Sequence, residues 1–196
     1  MDATACLGKP PSTDGQILNS ARRELGSPFE PQVLPPPPRI RLAHLAREAA
    51  TGSLGTLTQR QYNHREDGPH CGAELLAVLT FSYGTGVYTL ERICEALRND
   101  VLFCSLIGRR HPYPDTIRAF RRQERTALRS SLKMFFQMAS ELRREHTDPE
   151  MPAEECAWLK ALRLYDPLPT QPDSLEKLVN DRVNQATWID RMMLDY

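Results

Sequence analysis

Long apolar runs are missing. No stretch of the 196 residues approaches the roughly 20 consecutive apolar positions that a membrane-spanning helix needs, so no membrane partner is expected. Cysteine is scarce and unpatterned: Cys6, Cys71, Cys94, Cys104 and Cys156 are odd in number, show no Cys-x-x-Cys spacing and follow no leader sequence. That argues against a disulfide framework and for reduced thiols in a cytoplasmic protein. Cys94 and Cys104 fall in apolar runs and read as core. His64, His70 and Cys71 are neighbours without the spacing of a structural zinc site, and neither a metal nor another cofactor is expected. Also lacking are a Gly-x-x-x-x-Gly-Lys loop, a His-Glu-x-x-His pair and a Gly-x-Ser-x-Gly elbow. Gly84-x-Gly86 has neither the third glycine nor the preceding strand of a nucleotide fingerprint. No enzyme is expected.

Net charge is zero, but unevenly made. Residues 1–88 carry eight basic and eight acidic side chains, 89–147 carry twelve and seven, and 148–196 carry five and ten. A basic centre followed by an acidic tail permits a nucleic-acid partner without demanding one. Period-2 alternation and internal repeats are also missing. The expected fold is therefore nearly all-α, a small helical bundle with one core and attached tails.

Four segments follow from composition and periodicity. Eight of the sixteen prolines precede residue 39, and the last four, Pro35 to Pro38, form a stiff polyproline II spacer, so residues 1–38 read as a disordered Pro-rich arm. Residues 39–71 read as one helix stopping at Gly52 and then a polar, Gly-punctuated loop. Residues 72–147 hold the most regular pattern. A segment apolar on nearly all sides, closed by Gly84 and Gly86, predicts a buried helix. Thr89 is placed to cap a second helix on which Leu90, Ile93, Cys94, Leu97 and Val101 recur, ended by Gly108. Asp115 is placed to cap a third, running to about His146, with Ile117, Phe120, Leu128, Leu132, Phe135, Ala139 and Leu142 on one side. Arg118, Arg122, Arg125, Arg129 and Lys133 fall on the adjoining flank, with Arg121 at the boundary, its stem on apolar surface and its guanidinium reaching outward. Residues 148–196 form an acidic tail with two helices, the second starting at an Asp173…Glu176 capping-box pattern and carrying a stripe of Leu175, Leu178, Val179, Val183, Ala186, Ile189 and Met193.

Two helices joined by a short turn, the second armed with arginines, is the arrangement of a helix-turn-helix-like unit. Across residues 68–137 three ordered elements carry more: Tyr83-Gly84-Thr85-Gly86 after an aliphatic helix; Arg92-Ile93 followed by Asn99-Asp100-Val101-Leu102-Phe103; and Pro114-Asp115-Thr116-Ile117-Arg118-Ala119-Phe120-Arg121-Arg122. This stretch resembles the N-terminal, InsH-like domain of bacterial insertion-sequence transposases of the DDE class. It is one residue more compact between Asp115 and Thr116 than the usual form.

The resemblance implies recognition of double-stranded DNA at an element's ends, without the RNase H-like domain whose three carboxylates would hold two metal ions for cutting. On that reading Arg118, Arg121, Arg122, Arg125 and Arg129 meet phosphates or a groove, and Thr116 helps orient the helix. The tail, with its opposite charge, is expected to fold back over the arginines. A second expectation is a helical protein-interaction module that pairs with itself as a homo-oligomer or with a full-length transposase. A decayed fragment is the third.

Overall fold

The structure of the protein, a computed structural model, describes residues 38–58, 61–64, 68–108, 111–146, 157, 160–162 and 171–192. The expected arm lies outside the described residues apart from Pro38. That residue opens α1 (Pro38–Gly52), a position where proline's missing N–H costs nothing. Leu42, Leu45, Ala46 and Ala49 are buried along one face of α1, as the apolar spacing predicts.

The molecule is predominantly helical, as expected, but residues 52–71 are not simply a loop. A 3-10 turn (Leu54–Thr56) precedes two short strands, β1 (Gln61–His64) and β2 (Gly68–Cys71). They pair antiparallel, with Tyr62 opposite His70. Such short strands of polar residues leave no periodic signal. Their stability comes from burial of Tyr62 and His70, with the Tyr62 ring edge-on to Phe120 at 4.7 Å.

The next helix, α2 (Gly72–Gly84), is the centre of the core. Leu75, Leu76, Val78, Leu79, Phe81 and Tyr83 are all buried, because neighbours cover it on several sides. α1 packs along it, and so do α4 (Val101–Ile107), α6 (Arg125–His146) and α7 (Pro172–Met192). Each such leucine or phenylalanine contributes on the order of 1.5–3 kcal/mol when fully buried. A Cβ on Gly84 would stand 2.4 Å from Cε1 of Phe135, so the close approach of α2 to α6 requires glycine there. The one hydroxyl pair inside this apolar contact, Thr80 with Ser131 at 2.8 Å, satisfies itself.

Two helices expected to be continuous are broken. α3 (Leu90–Asn99) is capped by Thr89, whose hydroxyl accepts the N–H of Arg92 at 3.3 Å. It ends at Asp100, which is extended at φ −103° and ψ 117°. The Asp100 carboxylate accepts the N–H of Leu102 at 2.9 Å, capping α4, and takes Arg39 of α1 at 2.7 Å. The break turns Val101 outward, 80% exposed, where an unbroken helix would have buried it. Gly108 closes α4 with a φ of +74°.

The second break lies in the arginine-bearing region. α5 (Pro114–Gln123) and α6 are separated at Glu124, which takes φ −105° and ψ 34°. Tyr113, rather than Asp115, is the N-cap of α5. Pro114 takes the first turn, and Asp115 instead pairs with Arg118 one turn on. Asp173 likewise lies one residue inside α7, so it is not a cap. The Leu175 N–H bonds back to the Gln171 carbonyl at 3.0 Å. Of the first of the two helices expected in the tail, residues 157 and 160–162 are described and helical; Met193 lies outside the described residues. No described helix is long and apolar enough to cross a membrane.

Candidate nucleic-acid interface

α5 is anchored from behind. Ile117 and Phe120 are 1% and 0% exposed, and Thr116 is 3% exposed in the same core-facing row. α3 packs against α5, and β1 supports it beneath Phe120. This anchoring leaves Asp115, Ala119 and Arg122 exposed and Arg118 partly exposed on the outer side.

The predicted residues therefore divide. Arg118 and Arg122 stand on the outer side of α5. Arg125 and Arg129 belong to a different helix, α6, where Arg129 and Lys133 are exposed and Arg125 is half-buried. Among the described residues no carboxylate pairs with Arg122, Arg125 or Arg129.

Two residues depart from expectation. Arg121 is 4% exposed and points into the molecule, with Nη2 donating to the Tyr88 carbonyl at 2.7 Å. A boundary arginine was expected to reach outward along its stem. Here backbone carbonyls and the Tyr83 ring, 5.8 Å from its guanidinium carbon, hold it inside. Thr116 is also buried, so neither side chain presents itself to a ligand in this arrangement.

Sequence reasoning passed over Arg98, in the last turn of α3 and exposed. Burial pushes the Cys94 thiol up, and Glu91 acts the same way, while Arg98, Arg121 and Arg118 oppose it. α3 packs against α5, so Arg98 and Arg118 stand on adjoining helices. That these two arginines belong to adjoining helices is visible only from the packing, because twenty positions of chain separate them.

Of the acidic tail, the described helix α7 returns to the body, and of the predicted arginines it takes a hydrogen bond from Arg121 at the Ala186 carbonyl, 3.5 Å away. α7 packs on α6 and α2 with Leu175, Val179, Val183 and Ala186 buried, while Asp173 and Glu176 are exposed and Asp181, also exposed, lines a groove that Arg92 of α3 shares. Hydrophobic burial outweighs exposed ion pairs, which are individually worth little. Arg182 was overlooked as an acidic tail's basic exception. It is 7% exposed and donates to the Leu162 carbonyl at 2.9 Å and to the Tyr88 hydroxyl. Among the described residues no three His, Cys, Asp or Glu side chains converge as a cation's ligands would.

No known protein family, curated protein or solved structure matches the chain. The functional reading is carried by its own residues.

Proposed function

We propose that the helical body binds double-stranded DNA without cutting it, in the way expected of a transposase domain that recognises element ends. One observation carries the proposal: α5 is fixed from behind by Ile117, Phe120 and the inward Arg121, leaving Arg118 and Arg122 on its outer side, while exposed Arg98 stands on α3, the helix packed against it. A helix with a rigid back and a cationic front is what positioning on a phosphate backbone requires. The contact set is Arg98, Arg118, Arg122 and Arg129, with Arg125 as a partial contributor. Arg121 and Thr116 act from the core.

Fluorescence anisotropy with labelled duplexes, including the terminal repeats of mobile elements, at several salt concentrations tests this. Four phosphate contacts give a slope of log K on log salt near about −3.6. Binding that ignores salt, or no binding to any duplex, removes the proposal.

A second reading has its own support. Trp188 is 63% exposed and Met192 is 46% exposed, one turn apart on the outer side of α7. An aromatic and a methionine left outside on an otherwise polar helix face suit contact with another protein, either a second copy or a full-length transposase. Light scattering over a concentration series, with Trp188→Glu as the disrupting variant, distinguishes a pairing chain from a monomer.

A further inference from the structure

Tyr88, in the connection between α2 and α3, is held by two buried arginines from opposite directions. Arg121 of α5 donates to its backbone carbonyl at 2.7 Å and reaches the Ala186 carbonyl of α7 at 3.5 Å. Arg182 of α7 donates to its hydroxyl and stands over its ring, 5.8 Å from the centroid. The Tyr83 ring lies 5.9 Å from that of Tyr88, under Arg121. A guanidinium keeps its charge at every accessible pH, so once buried it must be given acceptors. Here those acceptors come from the elements on either side. Beside this junction a groove of 620 Å³, lined by Thr89, Arg92, Asp181, Gln185 and Ile189, opens between α7 and the body. Around the groove, α7 is held by these arginine and tyrosine contacts together with buried Val183 and Ala186.

We infer that α7 is a positioning element for α5. Arg121 stands on the same two turns of α5 as the outward Arg118 and Arg122, so its hydrogen bonds fix the helix that carries them. Those bonds end on Tyr88 and on α7 itself, while Arg182 fixes the other end of Tyr88. Docked α7 therefore holds the basic face in register, and a partner that lifts α7 loosens α5. On this reading α7 supports the helix that carries Arg118 and Arg122. For DNA this rests on the proposed function, whereas the mechanical coupling of α7 to α5 stands without it.

Hydrogen–deuterium exchange on the intact full-length chain tests the coupling directly. Arg182→Met keeps most of the stem and removes the donors; Tyr88→Phe keeps the ring and removes the hydroxyl. In Arg182→Met, amides of residues 114–123 are expected to exchange about ten-fold faster or more, since bonds to charged groups are the stronger kind, with residues 38–52 and 72–84 unchanged. Tyr88→Phe should accelerate the same segment by less, and Arg182→Lys should restore part of the protection. Acceleration confined to residues 172–192 in both variants overturns the inference. Should Arg182→Met accelerate every segment, Tyr88→Phe decides the matter. On duplex DNA both variants should weaken binding several-fold. A wild-type chain that binds no duplex removes the DNA reading and leaves the exchange result to stand or fall alone.

Discussion

Both carboxylate oxygens of Glu124 accept the backbone N–H of Thr58, each at 3.0 Å, across 66 residues of sequence. The Thr58 hydroxyl adds a bond at 3.2 Å, and the Tyr62 hydroxyl donates to the same carboxylate. Glu124 is 1% exposed, so these donors replace its water. The contact ties the approach to β1 to the break between α5 and α6.

Removing that carboxylate should cost more than an ordinary surface change. Glu124→Ala leaves the Thr58 N–H and the Tyr62 hydroxyl without this acceptor and is expected to destabilise by about 2–4 kcal/mol. Chemical denaturation measures it, and a loss under about 0.5 kcal/mol, the size of a typical surface substitution, would contradict the arrangement.

Tyr62 makes the stability pH-dependent at the alkaline end. Burial raises its pKa above the usual phenol value near 10, and the hydrogen bond to Glu124 and that residue's charge act in the same direction. The folded state therefore binds the phenol proton more tightly than the unfolded state does. The Tyr62 contribution is complete below about pH 10 and is lost progressively as pH rises beyond it. Tyr62→Phe should flatten the decline in melting temperature above pH 10; parallel profiles for the two proteins would argue against this.

Neighbouring arginines should behave oppositely. Arg122→Ala is expected to leave the melting temperature nearly unchanged and to reduce the salt slope of DNA binding by about one unit. Arg121→Ala should lower stability by about 1.5–3 kcal/mol, the range for hydrogen bonds to charged groups, with a slope unchanged in the folded protein. Identical effects of the two on the slope would mean that Arg121 faces DNA after all.

Gly84→Ala tests the helix contact at the centre of the core. With a Cβ 2.4 Å from Phe135, either the ring or the helix must move, and overpacking of this kind costs about 1–3 kcal/mol. Adding Phe135→Leu should recover part of the loss in a thermal melt. Additive losses in the double variant would place the strain elsewhere.

Asp100→Ala removes the N-cap of α4 together with the Arg39 pair and should cost about 1 kcal/mol. Most of this comes from the cap, because Arg39 is half exposed and surface pairs add little. Arg39→Ala alone should then be nearly silent, which a parallel denaturation series checks.

The helices were legible where one side of the chain repeats every three to four residues. Leu90, Ile93, Cys94 and Leu97 are buried as their spacing demands, and Leu175, Val179, Val183 and Ala186 likewise. The all-round apolar run at 75–83 gave away the central helix. The hairpin was not legible, because its stability comes from where Tyr62 and His70 are placed and four-residue strands hold too little pattern. Of the candidate surface, Arg118, Arg122 and Arg129 were found from periodicity, whereas Arg98 needed the packing of α3 on α5.

By itself the sequence determined which faces of its helices are apolar, where Thr89 begins α3 and where Gly108 ends α4, because those signals act within a turn or two of the chain. Only the tertiary structure decided that the helices break at Asp100 and Glu124, that Arg121 turns inward while Arg122 does not, and that α7 docks by its apolar side. Each of those outcomes depends on a partner brought from far along the chain: Arg39 for Asp100, Thr58 for Glu124, and Tyr88 for both Arg121 and Arg182. A helical period carries no information about such partners. A buried charge goes where the folded chain supplies acceptors, and that supply exists only once the bundle has closed.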